Sequence, residues 1–283
     1  MFEWGEVCGA RPAVMGVVNV TPDSFSDGGR WIDPDAAVRH GLDLVAAGAD
    51  VLDIGGESTR PGADPVPADE ECRRVVPVVQ RLAAEAGVPV SIDTTKHEVA
   101  SAALAAGARI VNDVSAGRFD PQILGVAAGA GAGYAAMHML GEPRTMQRDP
   151  RYDDVVREVG EFLVERLDAA RAAGIPDAAL AADPGIGFGK TVRHNLELLA
   201  RLEELVTRVD VPIVVGTSRK RFIGAVLGGD SGELPAPERE EGTLATVVVA
   251  LERGARVIRV HEVQATARAV RLLEAVRAAE AAA

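Results

Sequence analysis

Val88-Pro-Val-Ser-Ile-Asp93 is followed by a helical stretch from Lys96 to Ala106 and then by Arg109-Ile-Val-Asn-Asp113. A short apolar run ending in a polar side chain, a helix, and a second such run read as strand, helix and parallel strand, because parallel neighbours need a long crossover. Working outward, the same unit recurs along the chain. Ala13 to Val18 runs into Asn19, and Val51 to Ile54 carries Asp53 and leads to Glu57, Thr59 and Arg60. Tyr134 to Met137 ends at His138 and Leu180 to Ala182 at Asp183. Val211 to Val215 leads to Ser218, Arg219 and Lys220, and Ala255 to Ile258 ends at Arg259 and His261. Eight strands with a helical stretch after each predict an α/β fold, a TIM-type (β/α)8 barrel. In that architecture the C-terminal strand tips carry the chemistry. We expect one domain over residues 1–283, since the alternation never pauses.

Composition agrees with buried parallel strands. Apolar residues make up 47% of the chain and aromatics only 4%, so Val, Leu, Ala and Ile must fill the core. The net charge of −12 argues against nucleic acid, where basic groups must neutralise phosphates. A small anionic substrate stays compatible if basic groups converge on one cleft. Cys8 and Cys72 imply neither a disulfide framework nor a metal site, and a reducing cytoplasm is the expected setting. The first twelve residues contain Glu3 and Glu6 and lack the apolar core of a signal peptide. The uncharged stretch from Ile123 to Gly141 is rich in Ala and Gly and reads as helix plus strand, so no membrane association is expected.

Helices are expected from Pro34 to Ala47 behind an Asp33 cap, Ala68 to Glu85, Arg151 to Ala173, Asn195 to Arg208, Gly242 to Arg253 and Gln264 to Ala281. Three connections at the catalytic end are too long for simple turns: Thr21 to Asp33, Gly55 to Pro67 and Gly141 to Arg151. In the first, Phe25 stands among polar neighbours and is placed to close over a ring. In the second, Thr59 and Arg60 on a Gly-rich loop supply a hydroxyl and a fork of donors suited to phosphate. Polar turns and surface ion pairs account for such residues singly.

Asp93, Asn112 and Asp183 end three different strands. One such residue is an ordinary helix cap; three facing one mouth match a flat heterocycle with amino and ring N–H groups. Pro184-Gly-Ile-Gly-Phe-Gly-Lys-Thr191 fails the Walker pattern, because Pro184 occupies the position of the first Gly. It reads instead as a Gly-rich wall presenting Phe188. Only Lys96, Lys190 and Lys220 are lysines among 30 basic residues. Lys220 beside a strand end is the one expected in the pocket. Arg259 and His261 share a side of the last strand by alternation. The five histidines show no zinc-ligand spacing.

With these motifs in order, the chain resembles the dihydropteroate synthases, the folate-pathway family inhibited by sulfonamides. The resemblance runs from about Ala13 to Val263 and rests on residues 19–29, 55–62, 91–94, 112–115, 183–190, 218–220 and 259–261. It implies joining of 6-hydroxymethyl-7,8-dihydropterin diphosphate to p-aminobenzoate, with release of pyrophosphate. By the same resemblance Asp93, Asn112, Asp183 and Lys220 grip the pterin, and Met137 and Phe188 pack on it. Asn19 coordinates Mg²⁺ with diphosphate oxygens. Thr59, Arg60, Arg259 and His261 hold the diphosphate. Phe25, Pro61, Ser218 and the stem of Lys220 shape the p-aminobenzoate pocket, and Lys220, Arg259, His261 and Asn19 form the catalytic set. A homodimer is expected. Glu262 departs from the family pattern, which more often has Asp. Two other readings compete: a pterin-binding methyltransferase barrel with a corrinoid partner, and an inactive relative with a binding or regulatory role.

Overall fold

Alternation along the eight strands sorts their side chains into two sets. The strands are β1 (Ala13–Asn19), β2 (Val51–Gly55), β3 (Val90–Asp93), β4 (Ile110–Asp113), β5 (Gly133–Met137), β6 (Leu180–Asp183), β7 (Val214–Val215) and β8 (Val257–Val260). These belong to a computed structural model that describes residues 1–21, 33–58 and 62–281. Val14, Val18, Leu52, Ile54, Val111, Ala136, Leu180 and Ile258 join one large core together with helix residues. Ala13, Met15, Val51, Ile110, Ala135, Ala181, Val214 and Val257 form a separate cluster. The first set faces the helices and the second fills the cylinder, as a two-residue period requires.

All strand pairs are parallel, in the order β6-β5-β4-β3-β2-β1-β8-β7. A parallel bridge between Ala182 and Ile213 closes β6 onto β7. The expected five-residue strand at Val211 to Val215 is shorter because Pro212 has no N–H to give. Its carbonyl still accepts from Ala182 N at 3.0 Å. Pro89 likewise delays β3 to Val90.

Helices α1 (Gly5–Cys8), α2 (Pro34–Ala46), α3 (Ala68–Glu85), α4 (His97–Ala105), α5 (Gln122–Ala130) and α6 (Val155–Ala172) lie in the first two thirds of the chain. They are followed by α7 (Val192–Ala200), α8 (Leu202–Val209), α9 (Arg221–Gly228), α10 (Glu240–Glu252) and α11 (Val263–Ala281). Caps set several of the boundaries. Asp33 accepts from Asp35 N with Pro34 at the first helical position. Asp154 accepts from Val156 N and Arg157 N, so α6 starts there and not at Arg151. The single helix expected from Asn195 to Arg208 is two, because Arg201 leaves helical geometry at φ −117° and ψ 26°. No helix among the described residues is long and apolar enough to cross a membrane.

The N-terminal segment plugs the floor of the cylinder. Phe2 and Trp4 are fully buried in the inner cluster, their rings edge to face at 5.3 Å. Trp4 Nε1 donates to Ala179 O at 3.1 Å. Gly133 makes room for the plug: a Cβ there would stand 2.4 Å from Phe2 Cδ1. With the floor closed, the only strand ends left to build a site are the C-terminal ones.

Candidate active site

Above the apolar plug the same inward positions turn polar. Asn19, Gly55, Asp93 and Asn112 stand in register across β1 to β4, and Met137 and Asp183 across β5 and β6. Asp53 lies one layer deeper, level with Val17 and Ser91. Its side chain is wholly buried and holds two neighbours. Arg259 Nε donates to Asp53 Oδ2 at 2.6 Å, and Asn112 Nδ2 donates to the same oxygen at 3.0 Å. Arg259 Nη2 reaches Asp93 Oδ2 at 2.7 Å. Burial raises the Asp93 carboxyl above the ordinary carboxylate range and Asp53 adds to this, while the Arg259 guanidinium works against it.

Asp183 Oδ1 accepts from Gly185 N at 2.7 Å. Burial raises this carboxyl too, and the Lys220 ammonium is the strongest influence the other way. Lys220 Nζ sits 4.7 Å from the centroid of the Phe188 ring and donates to Ile186 O. Its pKa is lowered to about 8, first by burial and also by Arg259, with Asp183 opposing. Met137, Val114, Met139 and Met146 form a small buried cluster against which Phe188 packs. A polarisable apolar cluster thus lies beside the hydrogen-bonding strand ends.

On the β7 and β8 side, Ser218 Oγ lies 2.9 Å from His261 Nδ1 and accepts from His261 N at 3.2 Å. Ser218 is therefore coupled to His261. Arg219 between Ser218 and Lys220 adopts φ +59°, which costs a non-Gly residue energy. The surroundings hold it there: Arg219 N donates to Thr243 Oγ1, Arg239 Nη1 donates to Arg219 O at 2.8 Å, and the Arg219 guanidinium pairs with Glu262. Glu262 thus supports the loop from outside the cavity.

The structure places Asn19, Asp93, Asn112, Met137 and Asp183 at the C-terminal strand ends, ties Arg259 to Asp53 and Asp93, sets Lys220 against Phe188, and couples Ser218 to His261 beyond β8. Phe25, Thr59, Arg60 and Pro61 lie outside the described residues. Asp53 is a further site residue, and a carboxylate at an inward position of an apolar strand is its signal in the sequence. His138, at the end of β5, has a buried partner: Lys190 Nζ lies 2.8 Å from His138 Nδ1. Asp113 has the opposite parity to Asn112. It serves the turn after β4, accepting from Ser115 N, Gly117 N and Tyr134 Oη.

Residues 15–261 match the family described as "Pterin binding enzyme". The chain is 49% identical to a dihydropteroate synthase of Mycobacterium leprae over 265 residues, covering 93% of this chain and 92% of that one. Among solved structures it resembles Xanthomonas albilineans dihydropteroate synthase with 4-aminobenzoic acid, at TM-score 0.87 and 51% identity, covering 95% of this chain and 94% of that one. A structure of the Xanthomonas albilineans enzyme with 7,8-dihydropteroate matches at TM-score 0.83 and 48% identity over the same shares. The chain belongs to the pterin binding enzyme family, in its dihydropteroate synthase branch.

Proposed function

We propose that this protein condenses 6-hydroxymethyl-7,8-dihydropterin diphosphate with p-aminobenzoate, giving 7,8-dihydropteroate and pyrophosphate, as a transferase of folate biosynthesis. The observation that carries the reading is that Asp93, Asn112 and Asp183 stand at the C-terminal ends of β3, β4 and β6 on the inward side, with Lys220 over the Phe188 ring and Phe188 packed on the Met137 cluster. Carboxylates and an amide facing inward suit the N–H and carbonyl edge of a pterin, and the apolar wall suits its faces. The bond that breaks joins the exocyclic methylene carbon to the diphosphate oxygen, and its electron pair leaves with pyrophosphate. The amine lone pair of p-aminobenzoate then forms the new carbon–nitrogen bond, and one amine proton is released. Catalysis consists mainly of neutralising the departing anion, with Arg259 and His261 on the rim for that work. Residues Phe25, Thr59, Arg60, Pro61 and Ser218 complete the reading, the first four through the loops after β1 and β2.

Asn19 offers a hard, neutral amide oxygen at the tip of β1. Mg²⁺ is commonly bound by few protein groups together with substrate phosphates, so the donor fits. When bound, Mg²⁺ would supply positive charge to the diphosphate. The described residues contain one other group of ligand-type atoms, His97, Glu98 and Asp120, within 4.8 Å of one another. There Asp120 Oδ2 accepts from His97 N at 2.8 Å and caps α4. We take residues 1–283 as one domain working in a reducing cytoplasm, in keeping with the free Cys8 and Cys72.

Purified protein with both substrates and Mg²⁺ is expected to form dihydropteroate. Absence of product would favour the inactive relative. The pH profile adds a second check. Lys220 is an ammonium below about pH 8 and an amine above it, so kcat/KM for the pterin substrate should fall as pH rises through that value. Lys220→Arg should lack this limb, and a flat wild-type profile to pH 9.5 would remove Lys220 from the pterin grip.

The proposed homodimer is supported by apolar surface on α7, α9 and α10, which pack on one another. Val192, Leu196, Val226, Leu227 and Val249 are all exposed there. Light scattering is expected to give a dimer for the native chain and a monomer for Leu196→Glu combined with Val226→Glu. A native monomer would refute the assembly.

A further inference from the structure

The Gly-rich segment 184–191 wraps around a buried pair that the reaction as derived does not use. Lys190 and His138 are both buried, and Lys190 Nζ lies 2.8 Å from His138 Nδ1 and donates to Phe188 O at 3.0 Å. The segment is pressed onto the same histidine from above. A Cβ at Gly185 would stand 1.8 Å from His138 O, so Gly185 at φ +65° alone permits the approach. His138 is itself fixed, since its N donates to Asp183 O at 2.9 Å and its ring meets Phe162 edge to face at 4.8 Å.

Other groups hold the rest of the segment. Gln147 Nε2 donates to Gly187 O, Tyr152 Oη donates to Gly189 O at 2.9 Å, and Gly187 N donates to Asn195 Oδ1 at 2.6 Å. Lys190 is the one whose contact falls on the Phe188 carbonyl itself. We propose that Lys190 is a positioning residue of the pterin subsite. Its Nζ, braced on His138, pins the Phe188 carbonyl and so fixes the ring on which the pterin packs and over which Lys220 stands. The inference rests on the proposed function for the identity of the ligand, and its geometry stands apart from it.

The chemistry suits a permanent internal brace. Burial drives both partners toward their neutral forms: the Lys190 amine well below the ordinary lysine range, with Lys220 nearby adding to this and Asp183 opposing. His138 is pushed down by burial, then by Lys190 and Arg118. The two hydrogen bonds of Lys190 Nζ, to His138 and to Phe188 O, compensate polar atoms that burial has taken out of water.

The test is Lys190→Met, which keeps the stem and removes the donor. In the purified enzyme we expect the KM for the pterin substrate to rise about fivefold to tenfold, consistent with loss of one hydrogen bond. The KM for p-aminobenzoate and kcat should stay within about threefold. Hydrogen exchange at the amides of Gly185, Gly187 and Phe188 should speed up in the variant without any ligand. Lys190→Gln, which restores an uncharged donor, should recover part of the protection, and it is compared directly if the Met variant is insoluble. Unchanged exchange and unchanged pterin KM would overturn the proposal, as would an equal rise in both KM values. A native enzyme that makes no pteroate, with exchange still faster in Lys190→Met, would count against the ligand assignment and leave the brace standing.

Discussion

Asp183→Asn is expected to weaken pterin binding by about 10-fold to 150-fold, corresponding to about 1.5–3 kcal/mol for one charge-assisted hydrogen bond. One oxygen of Asp183 is committed to Gly185 N, so the remaining acceptor capacity serves the cavity. Asparagine replaces one oxygen with an NH₂. If the amide oxygen keeps the Gly185 bond, the NH₂ faces the pterin donors, and donor meets donor. If the amide turns over, the Gly185 N–H loses its partner beneath a loop that cannot move away, because Gly185 lies against His138 O. Either orientation leaves buried donors unpaired. The substitution also removes the carboxylate that holds up the Lys220 charge, so the second pterin contact weakens with the first. Calorimetry with the pterin diphosphate reads the effect directly. Binding of native strength would remove Asp183 from the site, whereas p-aminobenzoate affinity changes little.

The parts of this architecture legible in the sequence share one physical basis. Side chains on a strand alternate, and a run that is apolar on both faces with a polar tip belongs to a buried parallel strand at an open end. That rule alone places Asn19, Asp93, Asn112, Asp183 and Arg259 facing inward. It fails for Asp53, where a carboxylate inside the apolar run was read with the strand and not with the site. What it cannot deliver is pairing across the fold. Nothing local to His138 announces Lys190, 52 residues further on. Nothing local to Gly133 announces that Phe2 needs its missing side chain. The expected boundaries failed where one residue dominates a local balance: Pro212 shortens β7, Asp154 delays α6, and Arg201 divides a helix whose apolar spacing ran on unbroken.

Arg259→Ala should lower kcat/KM by about 10²–10³, the range seen when one donor to a developing oxyanion is removed. It should leave p-aminobenzoate affinity nearly intact. The structure complicates a simple reading of such a loss, because the guanidinium is lodged between two carboxylates, 2.6 Å from Asp53 and 2.7 Å from Asp93. Removing the cation leaves Asp53 buried without its charge partner. Breaking a buried pair in this way costs about 3–5 kcal/mol of stability. The single variant therefore mixes a structural defect with a catalytic one. Combining Arg259→Ala with Asp53→Asn separates them, since the amide can still accept from Asn112 and the wholly buried Asp53 charge is removed, leaving only Asp93 at the cavity-side tip of β3 without its cation. The double variant should regain most of the lost melting temperature and none of the lost rate. Arg259→Lys should also stay slow, because an ammonium held by Asp53 or Asp93 has no planar fork left over to present donors to the diphosphate. Recovery of turnover together with stability in the double variant would mean that Arg259 acts only by holding the cylinder together, and the diphosphate would then have to be met by other groups on the rim.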